Sequence, residues 1–441
     1  MVFTFWDVLL TPFYLGLILA VSWYIRKKNQ HNPIYQYYIP GLLAKLFGAL
    51  MLGLIYNFYY TGGDTLNYFL SARALINLMY FNFSCFWEIV TTGYTIETNA
   101  CFNYDTGYII YAPRDYHAVF VVKFLTPFVF LGLKSYLVSS FLLAWLCYTG
   151  IWKLYQVFCS EFPHLYKKFA IAILFVPSVV FWGSGILKDT ITLAAVGWFT
   201  YAFYTSVIKR EDLAKSIVFL VISSWLILAI KPYILFALLP GCLIWMSNQI
   251  SSRFESKIMI ALTSPFLILI GSAMGYFALL QMSDLLGLYA MDSVMERATI
   301  TQNDMKQDYY GGNTFDIGDF DASIGGMFLK APQALFAAYF RPTLLDVRNP
   351  VMLISALENT YIMFLTIFLL IKLKFIGFFS IIWKNPLMLF AVLFSLFFAF
   401  SVGISISNFG SLVRLKIPAI PFFVASLFLL NDFYLKAKKP N

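Results

Sequence analysis

Residues 39–65 read IPGLLAKLFGALMLGLIYNFYYTGGDT, an apolar run over 39–59 that ends in a glycine pair and a carboxylate, Asp64. At 1.5 Å per residue, such a run crosses the roughly 30 Å of a bilayer's hydrocarbon as one helix. It is continuous rather than alternating, so it does not read as a strand of a membrane barrel. Asp64 is therefore a charged group at the point where the chain leaves a span.

Similar runs recur along the chain. Of 441 residues, 60% are hydrophobic and only 12% charged, and the mean hydropathy is +0.75, which leaves little polar chain from which to build a soluble domain. The pattern predicts an all-α polytopic transmembrane bundle, a single integral membrane domain over 1–441. About eleven spans are expected, over 8–24, 39–59, 136–157, 168–185, 187–207, 214–230, 233–248, 258–281, 350–372, 386–405 and 416–432. Basic residues give the orientation. Arg26, Lys27 and Lys28, Lys167 and Lys168, Lys209 and Arg210, Arg253 and Lys257, Lys372 and Lys374, and Lys436, Lys438 and Lys439 all fall on one side if the amino terminus is outside and the carboxyl terminus cytoplasmic. The basic net charge of +9 then reflects topology and argues against nucleic acid as a partner. The first apolar run lacks a basic leader and a small-residue cleavage site, so it reads as a retained span.

This topology requires 118–133 not to cross, and the stretch reads as an interfacial or re-entrant helix within a first outer loop, 60–135. A second outer loop covers 282–349, with 322–340 its best helix candidate. The cytoplasmic connections are too short to hold a nucleotide-binding domain, and no Walker A or G-x-G-x-x-G sequence occurs. Cys85 and Cys101 both lie in the first outer loop and can pair if that compartment is oxidising; Cys147, Cys159 and Cys242 read as packing residues.

Five groups of residues could carry chemistry. Gly62-Gly63-Asp64-Thr65 places Asp64 near a helix N-terminus, as a cap, as a general base or as a metal-binding carboxylate. Gly183-Ser184-Gly185-Ile186-Leu187-Lys188-Asp189 opens another helix with a lysine and an acid in its first turn, which reads as an interfacial Lys188–Asp189 pair, a lysine snorkelling to lipid headgroups or an anion site. Lys231, Arg414 and Lys416 reach the same face, with Arg341 and Arg348 at the end of the second outer loop; together with Lys188 they suggest a phosphate or diphosphate pocket. Glu358 lies about two turns inside a span and should face a cation such as Arg414 or Lys188. Asp316, Asp319 and Asp321 could hold a divalent cation, though a solvated turn is the favoured reading and no cofactor is expected. His31, His117 and His164 are scattered over both faces, which argues against a zinc site or a Ser-His-Asp triad.

With an acid just after an early span (Asp64), two long outer loops, and Arg341, Arg348 and Arg414 outside, the layout resembles the membrane glycosyltransferases of the GT-C type and the Wzy-like polysaccharide polymerases. It departs from them in having Asp64-Thr65 where many such first loops carry an Asp-Glu pair, and in lacking the second-loop histidine of O-antigen ligases. The resemblance implies transfer of a sugar or oligosaccharide from a polyprenyl-phosphate-type donor at the outer face of a bacterial inner membrane. In that reading Asp64 and Glu358 are catalytic, and Tyr68, Trp182 and Asp189 contact the sugar. The partners are then a lipid-linked saccharide and membrane lipids. The competing expectation is a transporter or flippase for the same substrates, a class that favours polar residues within broken helices near the midplane.

Overall fold

The computed structural model describes residues 2–111, 115–251, 291–307, 313–321 and 323–438. Among them the chain is helical, with no strand beyond one isolated bridge between Thr314 and Asn408. In chain order the helices are α1 (Phe5–Lys28), α2 (Tyr38–Leu54), α3 (Asp64–Phe81), α4 (Phe83–Thr91), α5 (Ile96–Asn99), α6 (Tyr116–Leu131), α7 (Tyr136–Glu161), α8 (Tyr166–Phe169), α9 (Pro177–Trp182), α10 (Lys188–Phe203), α11 (Leu213–Ile230) and α12 (Pro232–Ser251). They continue with α13 (Met291–Asp304), α14 (Ile324–Leu329), α15 (Ala331–Phe340), α16 (Pro350–Lys384), α17 (Pro386–Ser405), α18 (Phe409–Leu415) and α19 (Ile420–Lys438).

Among the described residues, nine helical stretches are long and apolar enough to cross a membrane: Phe5–Lys28, Pro33–Tyr59, Tyr136–Glu161, Lys188–Lys209, Leu213–Ile230, Pro232–Ser251, Pro350–Lys384, Pro386–Ser405 and Ile420–Lys438. The protein is thus an all-helical, multi-pass membrane protein. Nine of the expected spans coincide with these stretches. The one over 168–185 does not: α8 passes into a π-helical turn over Ala170–Leu174, the helix breaks at Phe175 and Val176, and α9 restarts at Pro177. Pro177 lacks the N–H that a continuous helix would need there, which makes it a natural restart point. The expected span over 258–281 lies outside the described residues. The last span starts at Ile420 rather than 416, after the separate short helix α18. Helix α16 is interrupted at Lys374, where φ is +57°, close to the end expected at 372. The 118–133 stretch is helix α6, shorter than a span, and 322–340 divides into α14 and α15.

The chain clusters into two compact units whose sequences interleave. The first comprises Met1–Gln156, Val179–Trp198 and Trp225–Lys231; the second comprises Val157–Ser178, Phe199–Ser224 and Pro232–Asn441. In the first, small residues let backbones approach closely. A Cβ on Gly150 would collide with the Ala194 carbonyl, and one on Gly48 with that of Val180. Buried Asp7 ties α1 to α7 by accepting hydrogen bonds from Ser135 Oγ at 2.7 Å and the Leu137 amide at 2.8 Å. In the second unit α12 packs along α17, where a Cβ on Gly241 would come within 2.9 Å of the Phe390 ring. Tyr339 of α15 stacks on Phe423 of α19 with centroids 4.1 Å apart, and its hydroxyl shares a 2.6 Å hydrogen bond with Ser395.

Candidate functional site

The chain leaves α2 through a π-helical turn, Ile55–Tyr59, and reverses with Thr61 and Gly63 at φ +52° and +108°. A Cβ on Gly63 would lie 2.7 Å from Tyr56 Cε1 in addition to sitting in a left-handed conformation, so only glycine fits. This turn delivers Asp64 as the first residue of α3. Half-buried Asp64 accepts a hydrogen bond on Oδ1 from the Tyr111 hydroxyl at 2.7 Å. Asn67 Nδ2 donates to the same hydroxyl at 3.4 Å, and the Tyr111 ring leans on Tyr68, centroids 4.9 Å apart. The cap position belongs to Gly63, so the carboxylate is held by a side chain from the far end of the loop.

Asp115 is the cap of α6. Its Oδ1 accepts from the Ala118 amide at 3.0 Å, and its Oδ2 accepts from Lys188 Nζ at 2.6 Å. Burial alone would raise its pKa, but the Lys188 ammonium and the cap bond outweigh that and hold the carboxyl below its usual value. Lys188 also lies within electrostatic reach of Asp64 and Lys231. The next residue, Asp189, is fully buried and ion-paired with Lys231, whose side chain is 7% exposed. His117 Nδ1 donates to the Ala229 carbonyl at 2.8 Å, fixing the start of α6 against the end of α11. Beneath the Gly183–Leu187 turn, buried Lys45 of α2 donates to the Gly183 carbonyl, which fastens the turn that presents Lys188.

The first unit therefore collects Asp64, Asp115 and Asp189 with Lys188 and Lys231, all at helix ends. The expected phosphate pocket was purely cationic, whereas here each lysine arrives with a carboxylate. The two pairs differ in access. Lys188 and Asp115 are 16% and 41% exposed, so a ligand anion can exchange with the carboxylate; Lys231 and Asp189 are enclosed. Tyr68, against Tyr111, and Trp182, in an edge contact with Tyr56, are buried, as is Asp189, so none of the three presents a surface for a sugar ring. Tyr59 and Tyr60 are exposed beside Asp64.

The remaining expected cations belong to the second unit. Arg341 pairs with Asp346 at 2.6 Å and lies 5.1 Å from the ring centres of both Phe315 and Phe409. Burial would raise the Asp346 pKa, but Arg341 and the Thr343 donors bring it below the usual carboxylate range. Buried Lys416 donates to Asn359 Oδ1 at 2.8 Å and to the Arg341 carbonyl at 3.2 Å. Arg348 is exposed and Arg414 half-buried. Glu358 was expected to face Arg414 or Lys188. Its hydrogen bonds instead come from the amide and hydroxyl of Ser178, at 2.7 and 2.6 Å, one residue after α9 starts at Pro177. Lys416 is near enough to act on Glu358 electrostatically.

Asp316 and Asp319 pair with Lys306, at 2.8 and 3.7 Å, and among the described residues no three His, Cys, Asp or Glu side chains converge as metal ligands. Tyr309 and Tyr310, which under the glycosyltransferase resemblance could also stack on sugar rings, lie outside the described residues. Sequence reasoning missed Asp115, Tyr111 and Lys45. An acid three residues ahead of Ala118, at the head of the apolar run 118–133, is a legible cap signal, but nothing local announces its partner Lys188. Cys85 and Cys101 form a disulfide, with Cα atoms 6.6 Å apart. In comparisons with known proteins, the chain matches no family model, no curated protein and no solved structure.

Proposed function

We propose that the protein transfers a sugar or oligosaccharide from a polyprenyl-phosphate-type donor to an acceptor at the outer face of a bacterial inner membrane, as a glycosyltransferase or a polysaccharide polymerase. One observation carries this reading: a half-buried carboxylate, Asp64, held by Tyr111 at 2.7 Å, lies within electrostatic reach of Lys188, a lysine whose partner Asp115 is open to solvent. Glycosyl transfer to a hydroxyl needs a base for the acceptor proton and a cation for the departing phosphate. In this reading Asp64, its rotamer fixed by Tyr111, takes the acceptor proton. Lys188 exchanges Asp115 for a donor phosphate oxygen and stabilises the charge that develops there. The Cys85–Cys101 disulfide supports an outer location for the loop carrying Tyr111 and Asp115, because such bonds persist in oxidising compartments.

The test is reconstitution in liposomes with a polyprenyl-diphosphate-linked sugar. Asp64→Asn should reduce product formation by a factor on the order of 10²–10⁴ while the disulfide and the thermal unfolding profile stay unchanged. Lys188→Met should raise the donor KM as well as lower kcat. Wild-type rates in both variants would remove the assignment.

A transporter or flippase for lipid-linked saccharides is the second reading, and one observation favours it. The broken helix over 166–182, with Glu358 bonded to the Ser178 amide and hydroxyl at the start of α9, is the kind of interrupted segment that transporters use. Movement of labelled lipid across the bilayer without a new glycosidic bond would select it.

A further inference from the structure

We propose that α4 and the end of α3 form a docking surface for the headgroup layer of the membrane, with the disulfide setting which face meets lipid. At 100° per residue the nine residues of α4 divide into three stripes. Cys85 and Ile89 are buried against the protein, and Cys85 is bonded to Cys101. A second stripe, Ser84, Glu88 and Thr91, is polar and exposed. The third is apolar and faces outward: Phe83 and Trp87 are 61% and 56% exposed and stack on each other at 6.3 Å, flanked by half-buried Phe86 and Val90. Tyr80 and Phe81 of α3 extend this patch and are exposed as well. A helix with a buried seam, a polar edge and an aromatic edge is matched to a boundary between water and acyl chains.

Continuity with the lipid-facing surface identifies the occupant. Helix α1 is an apolar span with little of its surface buried, and Phe13 and Leu17 are exposed on it. From the same helix the Tyr14 hydroxyl donates to the Leu131 carbonyl at 2.7 Å, beside exposed Leu131 and Leu133. Lys134 then donates to Asn77 Oδ1 at 2.8 Å and sits 5.3 Å from the centre of the Tyr80 ring. An unbroken series of contacts thus runs from the flank of a span to the aromatic patch. A saccharide platform would instead intersperse hydrogen-bonding side chains among its rings. Here the outward arc is phenylalanine, tryptophan and valine, and the polar groups form a separate stripe. The helix is fixed in this attitude by the Asn82 side chain, which caps the Cys85 amide, and by Lys123, which donates to the Val90 carbonyl at 3.3 Å.

The experiment uses the full chain in lipid nanodiscs. With Cys147, Cys159 and Cys242 replaced by alanine and the native disulfide retained, a fluorophore is attached at Phe83→Cys, Trp87→Cys, Ser84→Cys or Glu88→Cys in turn. Spin-labelled acyl chains should quench the first two at least about threefold more than the last two, as an interfacial helix requires. Equal quenching at all four positions overturns the proposal. So does shielding of positions 83 and 87 by a soluble oligosaccharide without acyl-chain quenching. Trp87→Phe in the otherwise native chain provides a check that spares the fold: it should remove part of the tryptophan emission quenched by brominated lipid, and an unchanged quenched fraction also overturns the proposal. None of these readouts depends on sugar transfer.

Discussion

Two sets of charges, one in each compact unit, are neutralised in different ways, although each unit also holds charges of the other kind, Asp7 in the first and Arg341 with Asp346 in the second. In the first set, charge meets charge: Lys188 with Asp115 and Lys231 with Asp189. In the second set, Lys416 is held by an amide and a carbonyl, and Glu358 by an amide and a hydroxyl of Ser178. Neutral partners cannot leave with a ligand, so the second arrangement is suited to fixing backbone positions: α9 by Glu358, and the segment around Arg341 and Pro342 by Lys416 and Asn359. An ion pair that is partly open to solvent can exchange its anion. Lys188 with Asp115 is such a pair, which is why the functional proposal rests on the first unit.

This contrast can be broken at its strongest point. Lys231→Met leaves Asp189 charged in a fully buried site and should destabilise the protein by about 3–5 kcal/mol. Pairing it with Asp189→Leu should recover most of that loss in thermal unfolding. A single variant as stable as wild type would mean that the pair is not enclosed.

Lys416→Met should cost less, about 1–3 kcal/mol, because it strands the Asn359 side chain and the Arg341 carbonyl rather than a formal partner charge. If the cost exceeds that of Lys231→Met under the same conditions, Glu358 is a true charge partner of Lys416 and the contrast collapses.

Gly63→Ala tests the turn that presents Asp64. The left-handed φ and the Tyr56 ring 2.7 Å away should together cost about 1–3 kcal/mol. Activity should fall more than stability does, since the displaced residue is the adjacent base. Equal loss of both would assign the glycine a purely structural role.

The smallest effect concerns acid. Asp115 has its folded pKa below its unfolded value, so its stabilisation is full above the usual carboxylate pKa of about 4. It is lost as pH falls through the lower folded value. With 41% of its side chain exposed, the contribution should be about 1 kcal/mol or less. Asp115→Asn should flatten the acid limb of the stability curve by that amount, while Lys188, without its carboxylate, binds inorganic phosphate more tightly. An unchanged acid limb would show that the Lys188–Asp115 pair is not formed in solution.

Much of the fold was legible because hydrocarbon imposes a length and a composition on any helix that crosses it, and runs such as 39–59 and 386–405 satisfy both without reference to the rest of the chain. Asp64 was legible for a related reason, since a carboxylate at the end of an apolar run is conspicuous. The broken segment over 168–185 was not, because its apolar composition is unbroken and only the π-turn and the restart at Pro177 interrupt it. The partners were also hidden. Tyr111 lies 47 residues from Asp64, Lys188 lies 73 from Asp115, and Ser178 lies 180 from Glu358. By itself, then, the sequence determined the helical class, most of the spans and which residues were conspicuous, because these depend on local composition against a fixed solvent. Tertiary structure alone decided that the cations divide into exchangeable, enclosed and neutral-capped sets. A charge's behaviour depends on what stands within a few ångströms of it, and in this chain those neighbours come from distant segments.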